Sequence, residues 1–215
     1  MPRFPLIVFD MDGVLVDSVP CHARAYQELW TRIGEPNGPS YDKIAGVRTV
    51  QVVQETTAHR HPSDAEVAEW VKFKSDLARE CLKGLPAFPD MIPSLEKLRT
   101  AGCRFAVGTG ASRATADLLL RQSRLIEFFP VVVTADDVTR GKPDPETFLQ
   151  AIAKAGGDPV QSLVVEDSDA GLAAGAAAGA YTASVRSGEM IEHPRFLGSF
   201  PDVRSLTGIL LELSG

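Results

Sequence analysis

Near the start of the chain lies the stretch Leu6-Ile7-Val8-Phe9-Asp10-Met11-Asp12-Gly13. Its first four residues form a short, continuous apolar run, which is typical of a strand buried on both faces of a parallel sheet. The run stops at two acidic residues and a glycine, a composition that favours a turn. The stretch therefore predicts a central strand that ends in carboxylates.

Further apolar runs of the same kind recur along the chain, with helical segments between them. Met91–Thr100 has apolar residues at helical spacing, and Asp144-Pro145 supplies a cap and a first-turn proline for another helix. This alternation predicts an α/β fold with a doubly wound, Rossmann-like parallel sheet. The later strands are predicted at 104–109, 131–134, 162–165 and 180–185, and the helices of this part at 91–100, 114–122, 145–155, 170–178 and 205–213.

One long region interrupts the alternation. Between the first strand and residue 91 no segment has a convincing strand pattern, whereas 21–33 and 64–83 have helical composition. We predict that residues 17–85 form an inserted α-helical cap domain. The α/β core domain would then consist of residues 1–16 and 86–215.

Composition excludes several classes of protein. The chain has 215 residues, of which 44% are hydrophobic, so it can form a buried core. A formal net charge of -6 argues against a general nucleic-acid binder. No signal-like or membrane-spanning segment is evident. We expect a cytoplasmic monomer or small homo-oligomer, with free, buried thiols at Cys21, Cys81 and Cys103.

Polar groups follow four of the predicted strands, where the carboxyl ends of a parallel sheet form the usual ligand crevice. Clustered carboxylates repel one another and call for a cation, and oxygen ligands beside a phosphate favour Mg²⁺. An ionised carboxylate can attack phosphorus, and a second can donate a proton to the leaving oxygen and later activate water. The groups concerned are Asp10, Asp12, Thr109, Gly110, Lys142, Glu166 and Asp167.

Four segments in this order resemble the sequence motifs of the haloacid dehalogenase superfamily, in its phosphatase and β-phosphoglucomutase-like branch with a helical cap. They are 10–18 (DMDGVLVDS), 109–112 (TGAS), 141–145 (GKPDP) and 165–171 (VEDSDAG). The resemblance implies that Asp10 is the nucleophile and a metal ligand. Asp12 would be the acid/base and would bind the metal through its backbone carbonyl.

The same resemblance implies roles for the later motifs. Thr109 and Lys142 would hold the transferring phosphoryl group, helped by the backbone N–H groups near Gly110. Asp167 would bind Mg²⁺, and Glu166 would support the metal directly or through water.

Four residues of the predicted cap have further expected roles. His22 and Arg48 occupy positions like those of substrate-facing residues in the superfamily, and Lys74 on the later cap helix is a weaker candidate for substrate binding. Asp17 is expected to be structural, as a cap for the helix that follows it.

The function predicted first is a Mg²⁺-dependent phosphatase that hydrolyses a small phosphorylated metabolite, such as a sugar phosphate, through an aspartyl-phosphate. A sugar phosphomutase of the β-phosphoglucomutase kind would use the same residues. A dehalogenase is a weaker alternative, because the dehalogenases of this superfamily lack an acidic residue at the position of Asp12. From another class, a phospho-Asp signalling switch or a non-catalytic binding module stays open.

Overall fold

The computed structural model describes residues 2–214. Its centre is a six-stranded sheet in the order β3-β2-β1-β4-β5-β6, in which all neighbouring strands are parallel. This confirms the predicted doubly wound fold. The strands are β1 (Leu6–Phe9), β2 (Arg104–Gly108), β3 (Val131–Val133), β4 (Ser162–Glu166), β5 (Tyr181–Val185) and β6 (Phe196–Phe200).

Helices cover both faces of the sheet because both faces are apolar. Ile7 and Phe9 belong to one buried cluster, and Leu6 and Val8 belong to another on the opposite face. The helices are α1 (Val19–Ile33), α2 (Thr49–Thr57), α3 (Asp64–Leu82), α4 (Met91–Thr100), α5 (Arg113–Gln122), α6 (Glu146–Lys154), α7 (Asp169–Ala177) and α8 (Val203–Glu212).

The register of the three central strands aligns their carboxyl ends. Phe9, the last residue of β1, pairs with Val107 of β2 and with Val165 of β4. The backbone N–H of Asp10 continues this ladder by donating to the carbonyl oxygen of Val165 at 2.9 Å. The loops that follow these three strands therefore meet at one edge of the sheet.

Two elements have no counterpart in the sequence predictions. Strand β6 is a half-buried edge strand with Gly198 at a φ of 129° inside it, so it lacks the continuous apolar run that marks the other strands. Helix α2 is rich in Val and Thr, which favour strands over helices, so composition alone does not reveal it.

The segment between β1 and α4 is helical, as the sequence predicts. Helices α1, α2 and α3 enclose a separate apolar cluster that includes Leu29, Trp30 and Val53. The two connections to the sheet lie side by side, because Val16 forms an isolated antiparallel bridge with Ala87. The division of the chain at 16/17 and 85/86 stays a prediction.

The expectation of three free thiols is wrong for two of them. Cys21 on α1 and Cys81 on α3 form a disulfide with a Cα–Cα distance of 5.5 Å, and Cys103 is free and buried. The two partners are 60 residues apart, so only the packing of α1 against α3 brings them together. The cysteines therefore lend no support to a reducing compartment.

No helix in residues 2–214 combines the length and the apolar character needed to cross a bilayer.

Candidate active site

Lys142, in the loop before α6, bridges two carboxylates inside the protein. Its Nζ donates to Oδ1 of Asp10 at 2.5 Å and to Oε1 of Glu166 at 2.6 Å, and the lysine side chain has no exposed surface. Burial by itself lowers the pKa of Lys142, but the two carboxylates outweigh burial and raise that pKa. The side chain therefore stays a fixed ammonium group beside Asp10.

Three carboxylates converge at the carboxyl ends of β1 and β4. Asp10, Glu166 and Asp167 each offer an oxygen atom, and these atoms lie within 4.8 Å of one another. Burial raises the pKa of Asp10 to about 8, with Lys142 opposing the rise and Glu166 adding to it. Burial, followed by repulsion from Glu166 and Asp10, raises the pKa of Asp167 to about 9. A cation would relieve this excess of negative charge.

The loop after β4 orients Glu166. Its Oε2 accepts from the backbone N–H of Asp167 at 3.0 Å, and from both the N–H and the hydroxyl of Ser168 at 3.2 and 3.0 Å. Two glycines make room for the carboxylates, since a Cβ at Gly171 would overlap Glu166 and one at Gly13 would overlap Asp167. Ser168 lies in the fourth motif (165–171), but its role as a hydrogen-bond donor to Glu166 was not predicted.

Asp12 contacts helix α1 and the residue before it. Its Oδ1 accepts from the hydroxyl of Ser18 at 2.6 Å and contacts Nε2 of His22 at 3.0 Å. Burial alone would raise the pKa of Asp12, but attraction to His22 and the hydrogen bonds from His22 and Ser18 lower it to about 2. In this arrangement Asp12 is an ionised carboxylate.

His22 connects Asp12 to Lys74. Nζ of Lys74 lies 3.1 Å from Nδ1 of His22 and 4.4 Å from the centre of the Tyr26 ring. An ammonium group can only donate, so Nδ1 is the acceptor and the ring proton lies on Nε2, facing Asp12. Burial lowers the pKa of Lys74 to about 8, against a smaller opposing effect of Asp12. Tyr41 stacks on the imidazole with a centroid distance of 5.8 Å, and no sequence signal marked it.

Two adjoining cavities lie between helices α1–α3 and the carboxyl edge of the sheet. The inner cavity measures about 50 Å³, and Asp10, Asp12 and Asp167 line it. The outer cavity measures about 190 Å³. The residues that line both are His22, Thr49, Lys74, Gly110 and Ala111.

Arg48 lines the outer cavity but makes its one hydrogen bond to the core. Its Nη1 donates to the carbonyl oxygen of Thr139 at 2.7 Å. Its Nε is buried and has no partner among the described residues. A buried donor without a partner is uncommon, and a ligand in the outer cavity could satisfy it.

Thr109 and Gly110 are neighbours in the chain but differ in their access to the two cavities. Thr109 is fully buried, and its hydroxyl accepts from the backbone N–H of Ala111 at 3.1 Å. Among the described residues that line the two cavities, Gly110 is present and Thr109 is not. Thr109 thus shapes the loop after β2 from behind, whereas Gly110 reaches the cavity.

The expected helix cap at Asp17 is wrong. Helix α1 begins at Val19 with Ser18 as its N-cap, and Asp17 is exposed. The Ser18 hydroxyl makes no cap bond to the helix and donates to Asp12 instead. Ser18 thus holds Asp12, a role that was not predicted although Ser18 lies within the first motif.

Comparison with known proteins identifies the family of this chain. Residues 4–179 match the family model of haloacid dehalogenase-like hydrolases. This chain belongs to that family. Fructose-1-phosphate phosphatase YqaB of Escherichia coli K12 is 32% identical over 86% of this chain and 97% of that protein. The match to the family model, over residues 4–179, contains all four sequence motifs and the carboxylate cluster.

Two further relatives show the range of named activities among the haloacid dehalogenase-like hydrolases near this chain. Hexitol phosphatase A of E. coli K12 is 33% identical over 84% of this chain and 82% of that protein. β-Phosphoglucomutase of Bacillus subtilis strain 168 is 25% identical over 96% of this chain and 92% of that protein. Phosphatases and a phosphomutase thus share this architecture.

Proposed function

We propose that this haloacid dehalogenase-type enzyme is a Mg²⁺-dependent phosphatase that hydrolyses the phosphate monoester of a small sugar or sugar alcohol. One observation carries the proposal. Asp10 lines an inner cavity beside a fixed ammonium group and two further carboxylates, and an outer cavity with several hydroxyl groups in its wall adjoins it. The named activities of the relatives from E. coli support the same substrate class.

The proposed roles follow from the contacts. Asp10 attacks phosphorus and forms an aspartyl-phosphate, while Lys142 neutralises charge beside it. Asp12 protonates the leaving oxygen and then removes a proton from the attacking water. Because Asp12 is ionised here, it must first gain a proton, and Nε2–H of His22 at 3.0 Å is its nearest nitrogen donor. Lys74 passes a proton to Nδ1 of His22 as the Nε2 proton passes to Asp12, so that the imidazole stays neutral and the lysine becomes a free amine.

The acidic cluster fits Mg²⁺. Its donors are all carboxylate oxygens, they are close together, and the pKa values of two of them are raised by burial and repulsion. We assign Asp10, Glu166 and Asp167 as the side chains that would hold the ion, together with the backbone carbonyl of Asp12. When bound, Mg²⁺ lowers the negative charge of the site and polarises the phosphoryl oxygens.

Without Mg²⁺, the free energy of unfolding is expected to fall as pH rises from about 4 towards 8. The pKa values of Asp10 and Asp167 rise from 3.8 to about 8 and about 9 on folding, so in this range the folded chain binds protons that the unfolded chain has lost. Each such proton contributes a slope of up to about 1.4 kcal/mol per pH unit. Bound Mg²⁺ should flatten the slope, because it stabilises the ionised forms.

Urea unfolding between pH 5.5 and 7.5, in Mg²⁺ and in EDTA, measures this effect. Asp167→Asn should show a shallower decline than the wild type in EDTA, because one of the two groups is gone. Identical pH profiles in Mg²⁺ and EDTA would contradict the assignment of the metal site.

The outer cavity suits a leaving group with several hydroxyl groups. Of the described residues that line only this cavity, Arg48 is the one cation and Asp136 is the one carboxylate, while Lys74, a second cation, lines both cavities. The other polar residues there carry hydroxyl groups that can bind sugar hydroxyls; they are Ser75, Ser112 and Thr115. These hydroxyl groups suit a polyhydroxyl leaving group, and the named activities of the two E. coli relatives favour the phosphatase over the phosphomutase.

A substrate panel tests the proposal. Phosphate release is measured from ketose 1-phosphates, hexitol phosphates and phosphoglycolate, in Mg²⁺ and in EDTA. We expect Mg²⁺-dependent release that is fastest with the polyhydroxyl substrates and slow with phosphoglycolate, which has no hydroxyl group for Ser75, Ser112 and Thr115 to bind. Conversion of a hexose 1-phosphate to the 6-phosphate only with added bisphosphate would identify a phosphomutase. A long-lived phosphorylated chain without turnover would indicate a switch.

Asp12→Asn is expected to separate the two chemical steps. An alkoxide leaving group needs a proton, so release from a sugar phosphate should fall about 10²–10⁴-fold. p-Nitrophenol leaves without an acid, so p-nitrophenyl phosphate should still give a burst of one p-nitrophenol per chain. Slow steady-state release should follow, because water then lacks its base. Stopped-flow absorbance measures the burst, and equal losses with both substrates and no burst would contradict the role of Asp12.

The cytoplasmic location and the small oligomeric state remain proposals. They are consistent with metabolite phosphatase chemistry and have no bearing on the assignment of the site.

A further inference from the structure

The segment Gly46–Arg48, which we call the docking loop, lies directly against three loops of the α/β core. A Cβ built on Gly110 would be 3.0 Å from the carbonyl oxygen of Gly46. A Cβ on Gly46 would be 2.7 Å from Oγ of Ser168 and 3.7 Å from Cδ of Lys142. The docking loop thus covers the stem of Lys142, the residue that bridges Asp10 and Glu166.

The tightest part of this contact is between Arg48 and Gly141. A Cβ on Gly141 would lie 2.5 Å from Cδ of Arg48 and closer still to its Cγ, whereas real Cβ atoms essentially never approach within 3.0 Å. The guanidinium continues over the same loop and donates to the carbonyl oxygen of Thr139 at 2.7 Å. The stem of Arg48 therefore occupies the space that any side chain at position 141 would need.

The backbone at Gly141 does not itself require glycine. Its φ lies outside the left-handed region, in contrast to Gly13 and Gly46, whose φ values are 77° and 79°. An alanine could adopt the Gly141 conformation without backbone strain. What excludes it is the packed side chain of Arg48.

We infer that Gly141 is a positioning residue, the seat on which Arg48 docks to hold the docking loop over Lys142 and to close the inner cavity. The inference rests on the proposed phosphatase function and adds a specific role for a residue next to Lys142. Arg48 stabilises the closed arrangement through its stem and its bond to Thr139, and its unpartnered Nε remains available to substrate.

A double-mutant cycle tests whether Arg48 docks on Gly141. In the chain that keeps Arg48, Gly141→Ala should lower kcat/KM about 10²-fold, because displacement of the docking loop opens the inner cavity. Arg48→Ala removes the colliding atoms, so adding Gly141→Ala to it should cost less than about threefold more. Gly208→Ala is the matched control, since a Cβ at Gly208 meets nothing within 4 Å; its kcat/KM should equal that of the wild type.

Two kinetic outcomes would overturn the inference. Equal losses from Gly141→Ala in both backgrounds would show that the loop around Gly141 needs glycine for its own sake. No loss of kcat/KM from Gly141→Ala in the chain that keeps Arg48 would show that closure of the inner cavity does not depend on the packing of Arg48 against Gly141.

Hydrogen exchange provides a readout that does not depend on catalysis. Amides of residues 46–52 should exchange faster in Gly141→Ala than in the wild type or in Gly208→Ala, and Gly141→Ala should add nothing to the exchange of Arg48→Ala. Unchanged exchange in Gly141→Ala would overturn the inference. If the wild type releases no phosphate, the proposed function fails, and the exchange experiment still decides whether Arg48 docks on Gly141.

Discussion

Replacing Asp10 by Asn is expected to reduce Mg²⁺-dependent phosphate release by at least about 10⁴-fold, as loss of a nucleophile does in other covalent catalysts. The amide is nearly isosteric with the carboxyl group but cannot form the aspartyl-phosphate. Asn cannot ionise, so repulsion with Glu166 and Asp167 also disappears, and the variant should fold at least as stably as the wild type in EDTA.

Asp17→Asn is the matched control for Asp10→Asn. Asp17 lies in the same motif, but its side chain is exposed and belongs to neither cavity. It should retain activity within about twofold, in keeping with the small effects of most surface substitutions. Phosphate release is followed by a colorimetric assay, with unfolding curves for both variants. Substantial turnover by folded Asp10→Asn would exclude Asp10 as the nucleophile.

Replacing Lys142 by Met is expected to affect both stability and activity. The substitution leaves Asp10 and Glu166 buried together without the ammonium that bridges them at 2.5 and 2.6 Å. Removal of one partner from a buried ion pair costs about 3–5 kcal/mol. The cost should be smaller at pH 6 than at pH 8, because Asp10, whose pKa is already raised to about 8, can take up a proton instead. Activity should fall at least about 10³-fold.

Urea unfolding of Lys142→Met, at both pH values and with or without Mg²⁺, measures this cost. Mg²⁺ should restore part of the lost stability, since it can neutralise the same carboxylates. Lys154→Met serves as the control, because that ammonium is 48% exposed and lies 3.7 Å from Asp137. A Lys142→Met protein as stable as the wild type at pH 8 in EDTA would contradict the ion-pair account.

The sheet and the acidic part of the site were predictable from sequence because their physical signals are local. A strand buried on both faces must be a continuous apolar run, and the ends of parallel strands must share one edge. Asp10 and Glu166 were therefore placed together although 156 residues separate their positions in the chain. Strand β6 and helix α2 were not predicted, because an edge strand and a Val/Thr-rich helix lack such signals.

The part of the site on helices α1 and α3 was less predictable because it depends on packing. His22 and Lys74 were expected to face substrate, but their contact with each other and with Asp12 depends on how α1 packs against α3. The same packing joins Cys21 to Cys81. The packing of Arg48 against Gly141 depends on the position of the docking loop, which no local sequence pattern encodes.

Direct trapping of the phosphorylated residue is the most direct test of the central claim that Asp10 is the nucleophile. Asp12→Asn is mixed with p-nitrophenyl phosphate and Mg²⁺, so that the intermediate forms and its hydrolysis is slow. Borohydride then reduces an aspartyl-phosphate to homoserine, which peptide mass spectrometry locates in the chain. We predict homoserine at position 10 and nowhere else. Homoserine at another position, or p-nitrophenol release with position 10 unmodified, would contradict the account.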